Sequence, residues 1–251
     1  MREWTDVAFV LRTGYFREID IWLKVLAPTH GLFTCFAFGG AKSRHRFCGC
    51  LEMLNTIRGH FCVNAKKMCT LKEAVLVDGT RGVRGNIRRM GLAANCLRFV
   101  EACGVDSETA NDFFLLLEDV RSSLEEKRLL PELFPLFFRL HAARILGYAP
   151  DFSQCGLCGK TLDEKYAFFQ VDEGLMLCEA CQKKERADRR FQTLLSHNER
   201  HLLANILSSY PSSWRDDSLT AQEKRDCSQA IDGFIQYHLG IVWERGSFRK
   251  R

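Results

Sequence analysis

Two pairs of cysteines in the second half of the chain limit its possible folds more than any other feature. Cys155 and Cys158 form the first Cys-x-x-Cys pair, and Cys178 and Cys181 form the second after nineteen intervening residues. This spacing is typical of a zinc ribbon, in which four thiolates complete a tetrahedral shell and leave no open position. The sequence therefore predicts one structural Zn2+ per chain rather than a catalytic ion. Two disulfides, or four buried thiols without a ligand, are the alternatives.

The residues between the two pairs favour a small hairpin. Tyr166–Val171 is rich in aromatic and β-branched residues, and a turn containing Gly174 follows it. Gly156 and Gly159 lie within or beside the first pair, where a tight turn needs backbone freedom. We therefore expect a strand, a turn and a second strand to bring the two cysteine pairs together.

The bulk composition is that of an ordinary globular protein, with 46% hydrophobic and 27% charged residues among 251. A chain of this length holds one large domain or two to three small ones. No run of 18 apolar residues is present and the N-terminal residues lack an apolar signal core, so we expect a cytoplasmic protein without a membrane partner. In a reducing compartment, eight further cysteines are interpreted as small buried residues or free thiols. They are Cys35, Cys48, Cys50, Cys62, Cys69, Cys96, Cys103 and Cys227.

The positive charge is concentrated at the N-terminal end. The net charge is +5, and residues 1–80 contain 11 lysines and arginines against 7 acidic residues. Residues 151–251 contain 15 of each kind. A basic first domain suits a polyanionic ligand, and a solvated basic face is the alternative.

The first 80 residues predict a small β-domain. Short segments rich in β-branched and aromatic residues alternate with glycine-marked turns, a pattern that favours a closed barrel of five or six strands. The candidate strands are Val7–Leu11, Ile19–Leu26, Leu32–Phe38, Leu51–Ile57, Phe61–Ala65 and Leu71–Val77. One loop, residues 39–47, places three cations after two glycines, where a backbone can approach phosphates closely. These cations are Lys42, Arg44 and Arg46. A flexible solvated loop is the alternative.

Beyond a glycine-rich boundary at Gly79–Gly85, the apolar residues recur with the period of a helix. Three stripes are formed by Ile87, Met90, Ala94, Leu97 and Val100, by Phe113, Leu117, Val120 and Leu124, and by Leu133, Phe137, Leu140 and Ile145. Further helices follow the cysteines, each beginning with a capping box, Ser196/Glu199 and Thr220/Glu223. The tail Phe248–Arg251 is expected to fray.

These patterns predict an α+β fold in three parts. Residues 1–80 form the barrel, residues 81–150 and 186–251 form an all-helical domain, and residues 151–185 form a zinc ribbon inserted in that domain.

No motif predicts an enzyme. Gly159-Lys160-Thr161 imitates the end of a phosphate-binding loop, but that loop needs glycine at the position of Gln154. His197 and His201 are four residues apart, yet the glutamate next to the first histidine that a metalloprotease needs is missing. We therefore expect no catalytic residues.

The order of the segments resembles the RecO family of bacterial DNA repair proteins, and the resemblance covers essentially the whole chain. The matching segments are Val10–Thr13, Glu18–Asp20, Thr29–Gly31, Gly39–Arg44, Leu130–Phe134 and Leu146–Phe152, the last leading into Cys155. Leu146-Gly-Tyr-Ala-Pro150 joined to a cysteine pair is the most specific of them.

The resemblance implies an N-terminal OB-fold β-barrel, followed by an all-helical domain with an inserted four-cysteine zinc ribbon. It also implies a recombination mediator rather than an enzyme. Such a protein binds single- and double-stranded DNA, anneals complementary strands, and acts with its partner RecR. It contacts the C-terminal tail of single-stranded-DNA-binding protein and thereby helps to load RecA onto coated gaps.

The match also implies site residues. Lys42, Arg44 and Arg46 lie in the family's glycine-basic loop and are the best DNA-contact candidates; the same domain adds three more, Arg12, Arg17 and Lys24. The acidic, apolar-ending tail of the single-strand binder needs an apolar groove with a cationic rim. The residues predicted for that groove are Leu136, Arg139, Leu140 and Arg144. Family members often carry an acid at the position of Arg139, so this chain departs from the pattern there.

Two other functions compete with this one. A zinc-dependent nuclease or deaminase needs an open metal position and a general base, which four cysteine ligands do not provide. A protein–protein adaptor, in which the barrel binds only protein and not DNA, would be distinguished by a salt-dependent DNA titration.

Overall fold

A computed structural model describes residues 2–126, 129–184 and 191–251 of the chain. The chain divides into two compact units, Met1–Lys127 and Arg128–Arg251. No helix in the described ranges is both long and apolar enough to span a bilayer.

The first unit contains a closed barrel of five strands. The strands are β1 (Arg2–Tyr15), β2 (Ile21–Ala27), β3 (Gly31–Ala37), β4 (Thr56–Val63) and β5 (Cys69–Asp78). They pair in the order β1-β2-β3-β5-β4, and β4 returns to β1. Closure between β3 and β5 is parallel, through Phe36 and Thr70, whereas the other pairs are antiparallel. The predicted barrel of OB type is confirmed.

The fourth strand differs from the prediction. Residues 51–55 do not form a strand, and the segments predicted separately around residues 57 and 61 belong to one strand, β4. Leu54 adopts a left-handed backbone conformation, with φ of 70°, and the Asn55 amide donates to the carbonyls of Gly49 and Cys50. These local bonds fold the segment into a compact turn, although its apolar residues resemble a strand.

Small and medium apolar side chains fill the barrel. Alternate residues of the strands point inward, and those at the centre are almost fully buried. Among them are Ala8, Val10, Leu23, Val25, Cys35, Ala37, Ile57, Phe61 and Leu71. Each large side chain buried in this way contributes roughly 1.5–3 kcal/mol to folding.

The Thr29-His30-Gly31 segment has a structural role. The His30 ring stacks on Trp4 with ring centroids 4.7 Å apart, and its Nδ1 lies 3.2 Å from the Asp6 carboxylate. Gly31 has φ of 71°, and an added Cβ would lie 2.9 Å from the backbone of Asp106. This turn therefore needs glycine both for its conformation and for its close approach to a neighbouring loop.

Helices α1 (Ile87–Cys103) and α2 (Ala110–Glu125) belong to the same compact unit as the barrel. Buried Arg121 of α2 pairs with Asp78 of β5 at 2.6 Å, and Glu118 accepts a hydrogen bond from Thr56 of β4. The structure thus groups these helices with the barrel, whereas the sequence placed them in a separate helical domain. The three-domain division stays a prediction.

One predicted helical stripe is only partly correct. Leu97 and Val100 are buried in α1, but Ile87 at its first turn is 92% exposed. The buried face is formed by Ala93, Cys96, Leu97, Phe99 and Val100.

The second unit combines helices with a three-stranded sheet and a hairpin. Its helices are α3 (Phe134–Ile145), α4 (Glu179–Lys184), α5 (His197–Ser208) and α6 (Ala221–Leu239). Its strands are β6 (Tyr166–Gln170), β7 (Leu175–Leu177), β8 (Gln192–Ser196), β9 (Ile241–Glu244) and β10 (Ser247–Lys250). Both predicted capping boxes are present, at the first turns of α5 and α6.

The sheet extends beyond the predicted zinc-ribbon segment. Its order is β7-β6-β8, so that β8 adds a third strand after the second cysteine pair. The predicted end of the ribbon, at residue 185, lies outside the described residues. The basic tail also differs from the prediction: it forms β10, paired with β9, and the Phe248 ring packs against Trp243 at 4.7 Å.

Two aromatic clusters hold the second unit together. In one, Trp214 is buried against Phe134 and Phe137 of α3. In the other, Phe169 of β6 lies between Phe152 and Phe234 of α6, which fixes the sheet to that helix.

Tyr148 of the Leu146–Pro150 segment contributes to the same packing. Its ring lies 5.7 Å from that of His238 on α6, and its N–H donates to the Ala143 carbonyl at the end of α3. This segment therefore ends one helix and packs against another.

Candidate metal centre and nucleic-acid interface

The four predicted cysteines meet in one cluster. The Sγ atoms of Cys155, Cys158, Cys178 and Cys181 all lie within 4.8 Å of one another. The Sγ atoms of Cys158 and Cys178 are 3.9 Å apart. Four sulfurs at the vertices of a tetrahedron around Zn2+ would be about 3.8 Å apart, since Zn–S bonds are about 2.3 Å long. The donor set and its spacing therefore fit a tetrahedral metal ion.

Backbone hydrogen bonds shape the first cysteine pair. Gly159 has φ of 71° and its N–H donates to the Cys155 carbonyl at 2.9 Å, which closes the turn. Gly156 serves a different purpose from the predicted one, because its φ is not positive. An added Cβ there would lie 2.9 Å from Leu175, so this glycine permits close contact with β7.

The cluster favours ionised sulfur at one position. Burial of Cys155 opposes ionisation, but backbone N–H groups that donate to its sulfur outweigh burial and lower the pKa of this thiol to about 6. These N–H groups belong to Cys178, Cys158 and Leu157. Hydrogen bonds with Cys158 and Cys178 raise the pKa of Cys181. Because metal ions bind the thiolate form, the lowered pKa of Cys155 favours metal binding at this position.

Buried Arg200 of α5 joins the segment after the first cysteine pair to the rest of the second unit. Its guanidinium donates to the carbonyls of Leu162 at 3.0 Å and Glu164 at 2.5 Å, and Nε donates to the Ser196 carbonyl at 3.3 Å. Arg200 is only 2% exposed, so these bonds are shielded from water. The position of the cysteine module, residues 155–181, therefore depends on a side chain outside it.

The glycines of the predicted DNA-binding loop have structural roles. Gly39 is left-handed, with φ of 68°, and its N–H donates to the buried Asp20 carboxylate at 2.8 Å. An added Cβ on Gly40 would lie 2.9 Å from Leu51. Asp20 thus joins the β1–β2 connection, residues 16–20, to the loop at residues 39–47. A second bond, from Ala41 N–H to the Ile19 carbonyl, reinforces this junction.

The three cations of that loop are not equivalent. Lys42 and Arg44 are exposed, and within the described ranges neither has an acidic partner. Arg46 is also exposed, but its guanidinium donates to the carbonyls of Phe38 at 2.8 Å and Lys72 at 3.4 Å and lies over the Phe47 ring. Arg46 therefore braces the loop against the barrel.

The other predicted cations also differ. Arg17 is exposed and lies over the Phe16 ring, 5.3 Å from its centroid. Arg12 pairs with Glu101 of α1 at 3.8 Å, and both Arg12 and Lys24 lower the pKa of that carboxyl, although burial outweighs them and raises it overall. These two cations are therefore partly neutralised.

Exposed aromatic residues of the barrel were expected to stack on bases, but the sequence did not identify which ones. Phe16 lies 5.1 Å from Phe36 of β3 in an edge-to-face arrangement, and Phe36 stacks near Phe38 at 6.3 Å. Trp22 of β2 is the register partner of Phe36. These four side chains form the aromatic face, and none of them belongs to the buried cluster that fills the barrel.

The aromatic face lies beside the exposed cations. Phe16 and Arg17 are in the β1–β2 connection, which is bonded to the loop that carries Lys42 and Arg44. OB folds bind oligonucleotides on the face of strands 2 and 3 and the adjoining loops. The surface provides both phosphate-neutralising and base-stacking groups. A sequence signal was available, because Trp22 and Phe36 alternate with inward-facing residues of their strands.

The predicted tail-binding residues do not form an apolar groove. Leu136 and Leu140 are buried in the interior of the second unit, 3% and 0% exposed. Arg139 pairs with Asp232 at 2.7 Å and lies over the Phe248 ring, whereas Arg144 is exposed. The Arg139 side chain is only 11% exposed, so Arg144 is the exposed member of the four, and the two leucines belong to the core.

Comparison with known proteins gives consistent matches over the whole length. The family described as "Recombination protein O N terminal" matches residues 1–80, and "Recombination protein O C terminal" matches residues 84–247. The DNA repair protein RecO of Nitratidesulfovibrio vulgaris is 38% identical, and that of Lawsonia intracellularis 36% identical, each with 99% of both chains covered. The RecO of Myxococcus xanthus is 30% identical over 96% of this chain and 94% of its own.

Proposed function

Because the chain belongs to the RecO family of DNA repair proteins, we propose that it binds single-stranded DNA on the aromatic face of its barrel. In this proposal bases stack on Phe16, Trp22 and Phe36, while Lys42, Arg44 and Arg17 neutralise phosphates. The observation that carries it is the hydrogen-bonded junction between the two loops, which places stacking groups and exposed cations at one end of the barrel. Arg12 and Arg46 have smaller roles, since each has a partner within the protein, and so has Lys24, whose charge acts on the Glu101 carboxylate.

A salt titration of DNA binding tests this proposal. Each phosphate neutralised on a single strand contributes about −0.7 to the slope of log affinity against log salt. Replacing Lys42 and Arg44 with alanine should therefore make the slope shallower by about 1.4. Fluorescence anisotropy with a labelled oligonucleotide measures both affinity and slope.

A matched control is available in the second unit. Arg215 and Arg225 are also exposed, and their guanidinium groups donate to uncharged oxygen atoms close to them in the chain. Their double alanine variant loses the same charge and should leave the slope almost unchanged. Equal effects of the two double variants would show that net charge, not this surface, drives binding. A wild-type chain that binds no DNA would favour the adaptor function.

The family membership also supports a finer proposal. The protein anneals complementary strands without nucleotide and, with RecR, helps to load RecA onto gaps coated by single-stranded-DNA-binding protein in the bacterial cytoplasm. It carries out no hydrolysis of ATP or DNA. Lys160 pairs with Glu164 at 2.6 Å, as a surface ion pair would. ATP turnover that disappears in Lys160→Ala would contradict this part of the proposal.

The acidic tail of the single-strand binder is proposed to contact the two arginines of α3. Arg139 and Arg144 supply the positive charge, and Arg139 would exchange Asp232 for the tail carboxylates. Replacing both arginines with alanine should weaken the binding of a tail peptide in calorimetry. An unchanged affinity would place the pocket elsewhere.

The metal is proposed to be one structural Zn2+ per chain, held by Cys155, Cys158, Cys178 and Cys181. Four thiolates leave no position for substrate or water, so the ion would stabilise the fold and perform no chemistry.

A further inference from the structure

A groove runs along the outer edge of the three-stranded sheet in the second unit. One wall is β8 and the other is the side of α6. It consists of two adjoining cavities of about 430 and 620 Å³, which share Gln192, Thr193 and Gln229. β8 and α6 run in opposite directions along the groove. Tyr237, near the end of α6, lies near Gln192 at the start of β8, and Glu223, near the start of α6, lies near Ser196 at the end of β8.

One edge of β8 faces away from β6, and no strand among the described residues pairs with it. Val171 N–H donates to the Phe191 carbonyl at 2.8 Å, and His197 N–H donates to the Lys165 carbonyl at 2.9 Å. In an antiparallel pair, every second residue of a strand forms hydrogen bonds with the same neighbouring strand. Between Phe191 and His197, the residues of β8 that bond to β6 are therefore Thr193 and Leu195. The backbone groups of Gln192 and Leu194 therefore point outward. An edge of this kind is a template for another strand.

Polar side chains at one end of the groove match a peptide backbone. The amides of Gln192, Gln229 and Gln236 line the smaller cavity. Among the described residues, the buried Gln192 Nε2 atom has no hydrogen-bond partner. A buried amide donor without an acceptor is costly, and rotation of this side chain towards a carbonyl of an added strand would satisfy it. Phe191 and Tyr237, with rings 6.1 Å apart, provide apolar surface for a side chain of that strand.

The other end of the groove is acidic. Glu199, Glu223 and Asp226 line the larger cavity, and no lysine or arginine lines it in the described part of the chain. Hydrogen bonds from Thr220 N–H and from the Ser196 and Thr220 hydroxyls, partly opposed by burial, lower the pKa of Glu223, so this carboxylate stays charged. A basic side chain would complement this end, whereas an acidic one would be repelled.

From these observations we propose that the groove binds an extended peptide segment of a partner protein, which adds a strand to β8. The segment spans about five residues, since β8 is five residues long. It carries an apolar residue at the Tyr237 end and a lysine or arginine at the Asp226 end. The backbone edge supplies affinity and the two ends supply specificity, as in other cases of strand addition. This site is distinct from the proposed DNA surface and from the proposed acidic-tail contact.

Selection from random seven-residue peptides displayed on phage, against the full-length protein, tests the proposal. The selected peptides should combine an apolar and a basic residue and lack proline between them. Synthetic copies should slow hydrogen exchange at the Gln192 and Leu194 amides. Leu194→Pro removes the outward N–H but no bond to β6, and should weaken peptide binding at least tenfold; Leu194→Thr, which keeps the N–H, is its control.

Charge reversal provides a second variant that does not alter the strand. Asp226→Lys should weaken binding about tenfold, whereas Glu108→Lys, an equal charge change at an exposed residue of the first unit, should have no effect. Acidic selected peptides, or none that depend on Leu194 and Asp226, would overturn the proposal. It would also be overturned if the protein formed a dimer that protects β8, since a second copy would then occupy the groove.

Discussion

The cysteine module and the aromatic face are built by opposite means. The four cysteines come from two short segments, and a single hairpin brings them together. The aromatic face takes Phe16 from a loop, Trp22 from β2 and Phe36 from β3, and only the register of the strands places them side by side. A site whose residues are close together in the chain can be predicted from the sequence. A site whose residues are brought together by strand register can be identified only when the strand pairing is known.

We expect the largest effect on stability at the four cysteines. Changing Cys155, Cys158, Cys178 and Cys181 to serine should abolish zinc binding, from one ion per chain to none. Structural zinc sites contribute roughly 10 kcal/mol or more of apparent binding energy, which is comparable to the stability of a whole domain. The module should therefore unfold, and hydrogen exchange of β6 and β7 measures this.

Cys48→Ser is the control, because Cys48 is exposed and outside the cluster. The prediction would be contradicted if freshly purified, reduced wild-type protein contained no zinc. It would also be contradicted if the quadruple variant kept the hydrogen-exchange protection of the wild type, because the sheet would then be stabilised by its apolar core alone.

A smaller effect is expected on the aromatic face. Phe16→Ala and Phe36→Ala should each weaken single-stranded DNA binding about tenfold, because stacking contributes roughly 1–3 kcal/mol per base. The salt slope should stay constant, since neither change removes a charge. Anisotropy titrations at several salt concentrations separate the two quantities.

Val75→Ala is the matched control, an apolar residue of β5 that is 69% exposed on the same barrel. If it weakens DNA binding as much as Phe36→Ala, bases do not stack on the aromatic face in particular.

We expect the smallest effect at Arg46, which stabilises its loop through hydrogen bonds and also contributes a positive charge. Arg46→Ala removes hydrogen bonds to the Phe38 and Lys72 carbonyls, which contribute about 1 kcal/mol in an exposed setting. The thermal midpoint should fall by about 2–4 °C for a chain of this size. Lys42→Ala should leave it unchanged. A stable Arg46→Ala protein whose salt slope is about 0.7 shallower would instead identify Arg46 as a phosphate contact.

Local signals in the sequence were sufficient for much of the fold. The cysteine spacing, the Ser196/Glu199 and Thr220/Glu223 capping boxes and the β6–β7 hairpin depend on residues close in the chain. The positive excess and the paired glycines also indicated the loop at residues 39–47.

Features that depend on distant partners were not predictable. Leu140 belongs to an apolar helical stripe, which predicts a buried face, and both Leu136 and Leu140 are buried; the helical period gives no signal for a binding groove. Arg46 was predicted to contact DNA, because no sequence pattern shows that its guanidinium donates to the backbone carbonyls of Phe38 and Lys72. The tail pairs with β9 through a turn in which Arg245 and Gly246 both have positive φ, and arginine gives no signal of that conformation.

The bonds of Arg200 have a consequence for the order of events during synthesis. A ribosome adds roughly 5–20 residues per second, so all four cysteines leave it before Arg200 does. The thiols therefore exist for a short period without the side chain that anchors their module to α5. We expect metal capture in the nascent chain to come first and docking second. A shortage of the metal during translation would then leave the thiols unligated and open to oxidation before the module docks.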